Sequence, residues 1–268
     1  MAHLRGKTIV LTGSSSGIGA VAAKKMARAG ARVCLVARNA EQLAGVRDEI
    51  EAAGGKAWIY PADLTDDAEL AACADAILAE HRRVDVLINN AARSIRRPIE
   101  QALDRLHDYQ RTMQINYLGA VGLTLELLPR MLEQGHGQVV NISTLSTQVP
   151  IPLFSAYLAS KSALESFSRS LQAELGHKGI DVTVVHFPMV RTPMSNKTSI
   201  YKHMRMMDTD AAADWLVKAV RERPARIARP LGNVSSVILA ALPGAATRYT
   251  QPLFRLMDYR LKRKLEKD

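Results

Sequence analysis

Short apolar runs of strand length alternate along this chain with helix-length segments, and no other feature narrows its fold so far. Strands are predicted over 8–11, 32–37, 57–60, 84–88, 138–142 and 182–186. Helices are predicted over 18–28, 41–53, 66–80, 103–132, 157–175 and 211–222. The strand runs are almost continuously apolar, the pattern of a sheet covered on both faces. Strand–helix alternation at this spacing implies right-handed βαβ units and an open parallel sheet in an α/β fold. Gly30, Gly54, Gly135 and Gly179 follow predicted helix ends, where a left-handed residue closes the last turn. Neither a Pro/Ser-rich linker nor an internal repeat interrupts the pattern, so a single domain is expected over 1–268.

The tail from 231 to 268 departs from the alternation and reads as a C-terminal helical extension. Leu231–Leu242 is an apolar run. Beyond Pro243 come Tyr249, Leu253, Phe254, Leu256 and Met257, then the basic stretch Arg260-Leu261-Lys262-Arg263-Lys264. Two readings stand: a helix packed on the sheet or on a second subunit, and an amphipathic segment attached to an anionic membrane surface.

Composition removes several classes. A chain of 268 residues with 47% hydrophobic content can bury a sizeable core, which excludes disorder. The formal net charge of +10 admits an anionic cofactor or substrate, a membrane surface or nucleic acid. No basic run is interleaved with aromatics and no zinc-finger or helix-turn-helix pattern appears, so nucleic acid is not expected. Cys34 lies in a strand run and Cys73 in an alanine-rich helix; both read as small buried residues outside any disulfide framework. The seven histidines form no His-x-x-x-His pair, so no metal site is expected. The first apolar run, 8–11, has strand length and leads straight into a glycine turn, unlike a signal peptide. No apolar stretch is long enough to span a bilayer. The expected location is the cytoplasm, at the inner face of a membrane if the tail attaches there.

Two local patterns carry chemistry. Thr12-Gly13-Ser14-Ser15-Ser16-Gly17-Ile18-Gly19 joins the first strand to the first helix. Gly13 permits a tight turn, Gly17 a close backbone approach to a ligand, and Gly19 close packing of helix on sheet. The free N–H groups and positive dipole end of that helix suit a pyrophosphate. Gly13, Ser15, Ser16, Gly17, Ile18 and Gly19 are the candidate contacts. At the end of the second strand, where a carboxylate would bind a ribose 2′-hydroxyl, stands Arg38. A guanidinium fork there suits a 2′-phosphate, so NADP(H) is expected over NAD(H). The second pattern is Tyr157-Leu158-Ala159-Ser160-Lys161, which sets a phenol and an ammonium one helical turn apart. A cation beside a tyrosine favours the phenolate, whose ordinary pKa is roughly 10. Tyr157 and Lys161 are thus candidates for moving a proton to or from an alcohol oxygen.

These segments, with Asn89-Asn90-Ala91-Ala92 between them, resemble the short-chain dehydrogenase/reductase family in order and spacing along nearly the whole chain. The resemblance implies a Rossmann-type, doubly wound parallel sheet flanked by helices. It implies that Asp63 and Leu64 lie at the adenine, and that Asn89 and Ala91 line the ribose. Lys161 would also bind the ribose. Asn116 would hold a helix kink and a water in a proton relay, and Pro188, Val190 and Thr192 would lie at the nicotinamide amide. The family's substrate-orienting serine falls at Thr144, whose hydroxyl can donate to a carbonyl, with Ser143 as the substitute. Ala92 stands where the family usually has glycine. A homodimer or homotetramer is implied, joined through the helices near 103–132 and 157–175.

A narrower likeness covers the C-terminal half. Phe154–Tyr157 with Ala159–Lys161, Pro188–Met194, Ile200-Tyr201, Asp210–Ala213 and Arg223–Ala228 resemble the bacterial fatty acyl-CoA reductase branch. For residues 194–207, with four methionines, two readings stand: a mobile lid over the substrate and a plain helix-packing face. The expected function is hydride transfer between a nicotinamide and a carbonyl or alcohol, on a long-chain acyl-CoA or fatty aldehyde. Alternatives are another ketone, a steroid or a 3-oxoacyl group, or a non-catalytic NADP(H)-binding scaffold.

Overall fold

In the computed structural model, residues 4–149, 151–196, 206–248, 250–252 and 255 are described. Seven parallel strands form one sheet: β1 (Thr8–Thr12), β2 (Arg32–Ala37), β3 (Lys56–Pro61), β4 (Val86–Asn89), β5 (Gly137–Thr144), β6 (Ile180–Phe187) and β7 (Arg226–Ile227). Their order is β3-β2-β1-β4-β5-β6-β7. The chain runs outward from β1 through β2 and β3, then returns to β1's other side to lay down β4 onward. A crevice therefore opens beyond the carboxyl ends of β1 and β4, where the winding reverses.

Alternate residues of each strand face opposite layers. Ile9, Leu11, Val33 and Leu35 pack with Met26 of α1 (Gly17–Arg28), Leu43 of α2 (Ala40–Ala52) and a third helix from the C-terminal half that is introduced below. Val10, Cys34 and Val36 pack on the other face with Leu70 and Ile77 of α3 (Asp67–Glu80). Both faces are sealed from water, which is why the strands carry no polar alternation. Each such aliphatic side chain contributes about 1.5–3 kcal/mol through burial. Cys34 and Cys73 are buried and unbonded.

The predicted helix over 103–132 is broken. It is α4 (Leu106–Met113), a π-helical turn over Gln114–Leu118, and α5 (Gly119–Glu133). The wider turn points the buried Asn116 inward, a placement typical of functional sites. Further helices are α6 (Ser155–Leu175), α7 (Pro193–Asn196), α8 (Thr209–Glu222) and α9 (Pro230–Ala241). Leu216 of α8 completes the first core layer. Strand β7 was not expected; two residues are too few to show a period. Only the first residues of the segment 194–207, with Met206 and Met207, are described; 197–205 lie outside the described residues. The tail residues Tyr249, Leu253, Phe254 and 256–268 lie outside them too.

The apolar run 231–242 is α9, and it touches the molecule along a narrow line. A Cβ on its Gly232 would collide with the side chains of Leu145 and Gln148, in the turn that follows β5. Leu231, Val234, Val237, Ile238 and Leu242 stay exposed.

Candidate active site

The nucleotide side of the crevice is made of main chain. Gly13 has φ +64°, and a Cβ there would lie 2.9 Å from the Cα of Ala91. Two side chains clamp this contact. Asn90 Nδ2 donates to the carbonyls of Thr12 (2.9 Å) and Gly13 (3.2 Å). Thr12 Oγ1 accepts from the N–H groups of Asn90 and Ala91, both at 2.9 Å. Ser16 caps α1 by position only: its side chain makes no capping hydrogen bond, and the first turn holds no acid. By contrast Asn39 caps α2 and Asp66 caps α3. The start of α1 thus keeps free N–H groups for an anion. Ser15, Ser16 and Ile18 sit at this start.

Arg38 and Asp63 stand together at the far end. Arg38 is 76% exposed, with Nη1 3.6 Å from Asp63 Oδ2. Burial alone would raise the Asp63 carboxyl, but hydrogen bonds from Thr65 and the Arg38 charge outweigh it and hold the group below its ordinary range. Leu64 is buried, its carbonyl against Gly119. Asn89 points into the fold: Nδ2 donates to Thr124 Oγ1 (3.1 Å) and Asn141 Oδ1 (2.8 Å). Its side chain is thus committed to the sheet, and the Ala91 main chain lies against Gly13. Leu153 and Arg223 are the non-glycine residues with positive φ among those described. Ala92 therefore adopts no left-handed backbone, and its departure from glycine strains nothing.

The segment after β6 closes over the glycine turn. A Cβ on Gly17 would lie 3.7 Å from Thr192 and Pro193. Val190 is buried and bridges Met207, whose N–H donates to Met189 O at 2.9 Å. Thr192 N donates to Ser195 Oγ at 2.9 Å. Thr192 is thus brought against the glycine turn, while Pro188 and Val190 lie in the segment that leads to it from β6, with Val190 held by Met207.

The catalytic side is made of side chains withdrawn from water. Lys161 is 1% exposed and its Nζ donates to Ile142 O at 2.7 Å. Asn116 Nδ2 donates to Ser160 Oγ at 2.9 Å, and Ser160 Oγ donates to Tyr157 O at 2.7 Å. Asn116 also fixes the loop after β4, accepting from Arg93 N (2.7 Å) and donating to Arg93 O (2.9 Å). Ser143 and Thr144 point to opposite faces of β5. Ser143 is buried and donates to Glu165. Thr144 is half-exposed, and its Oγ1 accepts from Ser146 N at 3.2 Å. Thr144 is thus the hydroxyl of the two that is left for a ligand.

The electrostatics differ from expectation. Lys161 was expected to lower the Tyr157 phenol. Instead burial pushes Tyr157 up to about 12. Burial also pulls Lys161 down to about 8, against the opposing pull of the Glu165 carboxylate. Desolvation disfavours the charged form of both groups, and the Lys161 ammonium is aimed at a carbonyl of β5. At neutral pH the phenol therefore keeps its proton and Lys161 remains a cation.

Residues that stood inside the motifs without a role, and one beyond them, also build the site. Thr12 and Asn90 hold the glycine turn; Ser160 relays Asn116 to the Tyr157 turn. Glu165 accepts from Ser143 and from Thr147 (2.7 Å) and lies 3.4 Å from His186. One signal was available: Glu165 is a helical turn beyond Lys161, on the same face.

Comparison with known proteins agrees with this geometry. Residues 7–202 match the family described as short chain dehydrogenase. A fatty acyl-CoA reductase of Acinetobacter baylyi is 47% identical over 241 residues, 90% of this chain and 82% of that one. A fatty acyl-CoA reductase of Mycobacterium tuberculosis is 40% identical over 259 residues, 96% of this chain and 87% of that one. A metagenomic short-chain oxidoreductase crystallised with NADP superposes with a TM-score of 0.71 at 31% identity, covering 82% of this chain and 92% of that one. With the glycine cradle at the switch point and the Tyr157–Lys161 turn across from it, the chain belongs to the short-chain dehydrogenase family of oxidoreductases.

Proposed function

We propose that this protein is an NADP(H)-dependent reductase of long-chain acyl-CoA thioesters or fatty aldehydes. Two observations support the reading: the Tyr157–Lys161 turn, whose lysine is buried and held on Ile142 O of β5, and the likeness of the chain to two fatty acyl-CoA reductases. The uncapped start of α1 would hold the pyrophosphate, Arg38 the 2′-phosphate and Asp63 the adenine. Thr192 and Val190 would meet the nicotinamide amide. When bound, the cofactor supplies the hydride that adds to the carbonyl carbon. Tyr157 gives its proton to the carbonyl oxygen as negative charge develops there. Thr144 donates a hydrogen bond to the same oxygen. Lys161 keeps a positive charge beneath the phenol and contacts the ribose. Asn116 orients the Ser160–Tyr157 turn and serves the return of the proton. For a thioester, the hydroxyl so formed then gives up its proton as the carbonyl re-forms, the C–S bond breaks, and CoA leaves with that proton as the thiol, with an aldehyde as the other product. A thiol of the chain takes no part, since Cys34 and Cys73 are buried and burial holds Cys73 at about 11.

The test is oxidation of NADPH with palmitoyl-CoA, hexadecanal and a panel of ketones and 3-oxoacyl compounds. Turnover of the two long-chain substrates is expected. Activity confined to short ketones or steroids sinks the reading, and no activity at all favours a binding scaffold.

The same reading extends to assembly and location. Exposed Leu106, Leu118 and Leu125 on α4, the π turn and α5 support a homodimer or homotetramer through that face and α6. No single helix among the described residues is long and apolar enough to cross a membrane. Residues 230–247 carry no charge and are flanked by exposed Arg229 and Arg248. With the exposed side chains of α9, this supports peripheral contact with an anionic leaflet, in an otherwise cytoplasmic protein. Co-sedimentation with phosphatidylglycerol vesicles, lost on Val237→Glu/Ile238→Glu, is the expected result; equal recovery with and without vesicles defeats it.

A further inference from the structure

The cations on the loop after β4 have no role in the chemistry above. Arg93, Arg96 and Arg97 fall within Ala92-Arg93-Ser94-Ile95-Arg96-Arg97-Pro98. The loop leaves the carboxyl end of β4, so it forms one lip of the crevice. Asn116 pins its first residue through both main-chain groups of Arg93, at 2.7 and 2.9 Å. A further pin is Arg97 N donating to Leu153 O at 2.7 Å. The Arg93 side chain therefore springs from a fixed backbone beside a catalytic residue.

The three arginines are not equivalent. Arg97 Nε lies 3.3 Å from buried Asp108. Asp108 also takes Arg105 and Arg111, both at 2.8 Å, and the Arg105 hydrogen bond leads in holding its carboxyl at about 2. That carboxylate is saturated. Arg93 and Arg96 make no ion pair with a carboxylate among the described residues; Arg93 is exposed and Arg96 half-buried. Across the crevice, exposed Arg191 follows β6, and no Asp or Glu occurs between Pro188 and Met207. Cations left without carboxylate partners at the mouth of a cleft concentrate anions there.

The cofactor's own phosphates do not account for this lip. Their candidate holders, the start of α1 and Arg38, lie at β1 and β2, whereas Arg93 and Arg96 follow β4 on β1's other side. Thr144 on β5 lies on that side as well. An anion held by Arg93 and Arg96 belongs to the substrate. We propose that Arg93 and Arg96 bind the phosphates of an acyl-CoA, so that its adenosine end is held at the lip while the pantetheine arm carries the thioester in to Tyr157. A guanidinium fork matches a phosphate better than an ammonium does. The inference rests on the acyl-CoA reading above.

The experiment compares palmitoyl-CoA with hexadecanal, which shares the acyl chain and lacks the phosphates. Arg96→Glu reverses one charge without touching the Asn116 hydrogen bonds. It is expected to raise the KM for palmitoyl-CoA about tenfold, equivalent to about 1.4 kcal/mol. Its kcat, and its KM values for hexadecanal and NADPH, should stay within about twofold. The double variant Arg93→Ala/Arg96→Glu should lose more for palmitoyl-CoA, and Arg96→Lys should restore part. Equal losses on both substrates, a matching rise in the NADPH KM, or no change for palmitoyl-CoA overturns the proposal. Calorimetric titration of the NADPH-saturated protein with CoA alone separates this from the parent reading. CoA binding that Arg96→Glu abolishes supports the lip site even where palmitoyl-CoA is not reduced. Failure of the unmodified protein to bind CoA, including a case where only acyl carrier protein is accepted, overturns it.

Discussion

Between β1 and β2 the crevice offers peptide N–H groups, a glycine turn at φ +64° and an uncapped helix start. Beyond β4 it offers side chains with little or no contact with water: Lys161, Ser160, Asn116 and, behind them, Ser143 and His186. The first side is a shape that accepts a charge; the second is a set of charges and dipoles whose values depend on being buried. Damage to the two should therefore look different. A substituent on the first side fails by collision and costs affinity. A substituent on the second leaves the shape intact and costs turnover, or shifts its pH dependence.

Tyr157→Phe gives the largest expected effect. The ring and its edge contact with Phe154, 6.5 Å between centroids, survive. The proton donor does not. Turnover should fall at least about a hundredfold, while NADPH affinity, read by fluorescence titration, stays within about threefold of the unmodified protein. Turnover that survives the change would mean the proton comes from elsewhere. Gly13→Ala is the counterpart on the other side. Its new methyl would meet the Ala91 Cα at 2.9 Å in a left-handed backbone. Strain of this kind costs about 1–3 kcal/mol. NADPH affinity should drop by roughly that energy, about 5- to 150-fold, with turnover at saturating cofactor much less affected. A drop in turnover with affinity unchanged would erase the distinction between the two sides.

The two sides were not equally legible in the sequence. Main-chain sites announce themselves, because a cradle needs glycine at fixed offsets between a strand and a helix. Gly13, Gly17 and Gly19 could be placed from spacing alone, and the apolar runs gave the sheet because both its faces are buried. On the catalytic side spacing gave Tyr157 and Lys161, and the family resemblance added Asn116 and Thr144. The Ser160 relay and the Glu165–His186 contact join residues far apart in sequence and follow no period. The π turn at Asn116 left no mark in the helical periodicity, and only the resemblance pointed to a kink there. The direction of the Tyr157 shift was misjudged for a related reason: a four-residue spacing shows that two groups are neighbours, and it does not show how dry their surroundings are. Ser143 and Thr144 were left as alternatives until strand alternation sent one to Glu165 and the other to the crevice.

Arg38 tests how much of the nucleotide side rests on a side chain. It is largely exposed, and its 3.6 Å approach to Asp63 is loose. Solvent screening limits what such a group contributes. Arg38→Ala should weaken NADPH about tenfold more than NADH, an energy of about 1.4 kcal/mol. Equal weakening of both, measured as KM with one substrate, would place the 2′-phosphate contact elsewhere and leave the nucleotide side wholly main chain.

The smallest expected effect probes the dry side through its charges alone. Tyr157, pushed up to about 12, stays protonated across any ordinary assay. The alkaline limb of kcat/KM, which reports the free enzyme, then belongs to Lys161. A lowered lysine pKa means that the cation persists below pH about 8 and is lost above it. Reduction should be flat near neutrality and fall about tenfold per pH unit once Lys161 titrates. Glu165 supports that cation, and His186 of β6 is the other titratable group set against the same carboxylate, with the Arg226 charge of β7 acting on His186 in turn. Glu165→Gln keeps an oxygen to accept from Ser143 and Thr147 but removes the charge. The limb should move to lower pH, with less than about a tenfold loss at pH 7. Glu165→Leu, which removes the hydrogen bonds as well, should cost activity at every pH without moving the limb further. A limb that stays in place in Glu165→Gln would mean that Lys161 does not set it, and that this side of the crevice, like the other, works by shape.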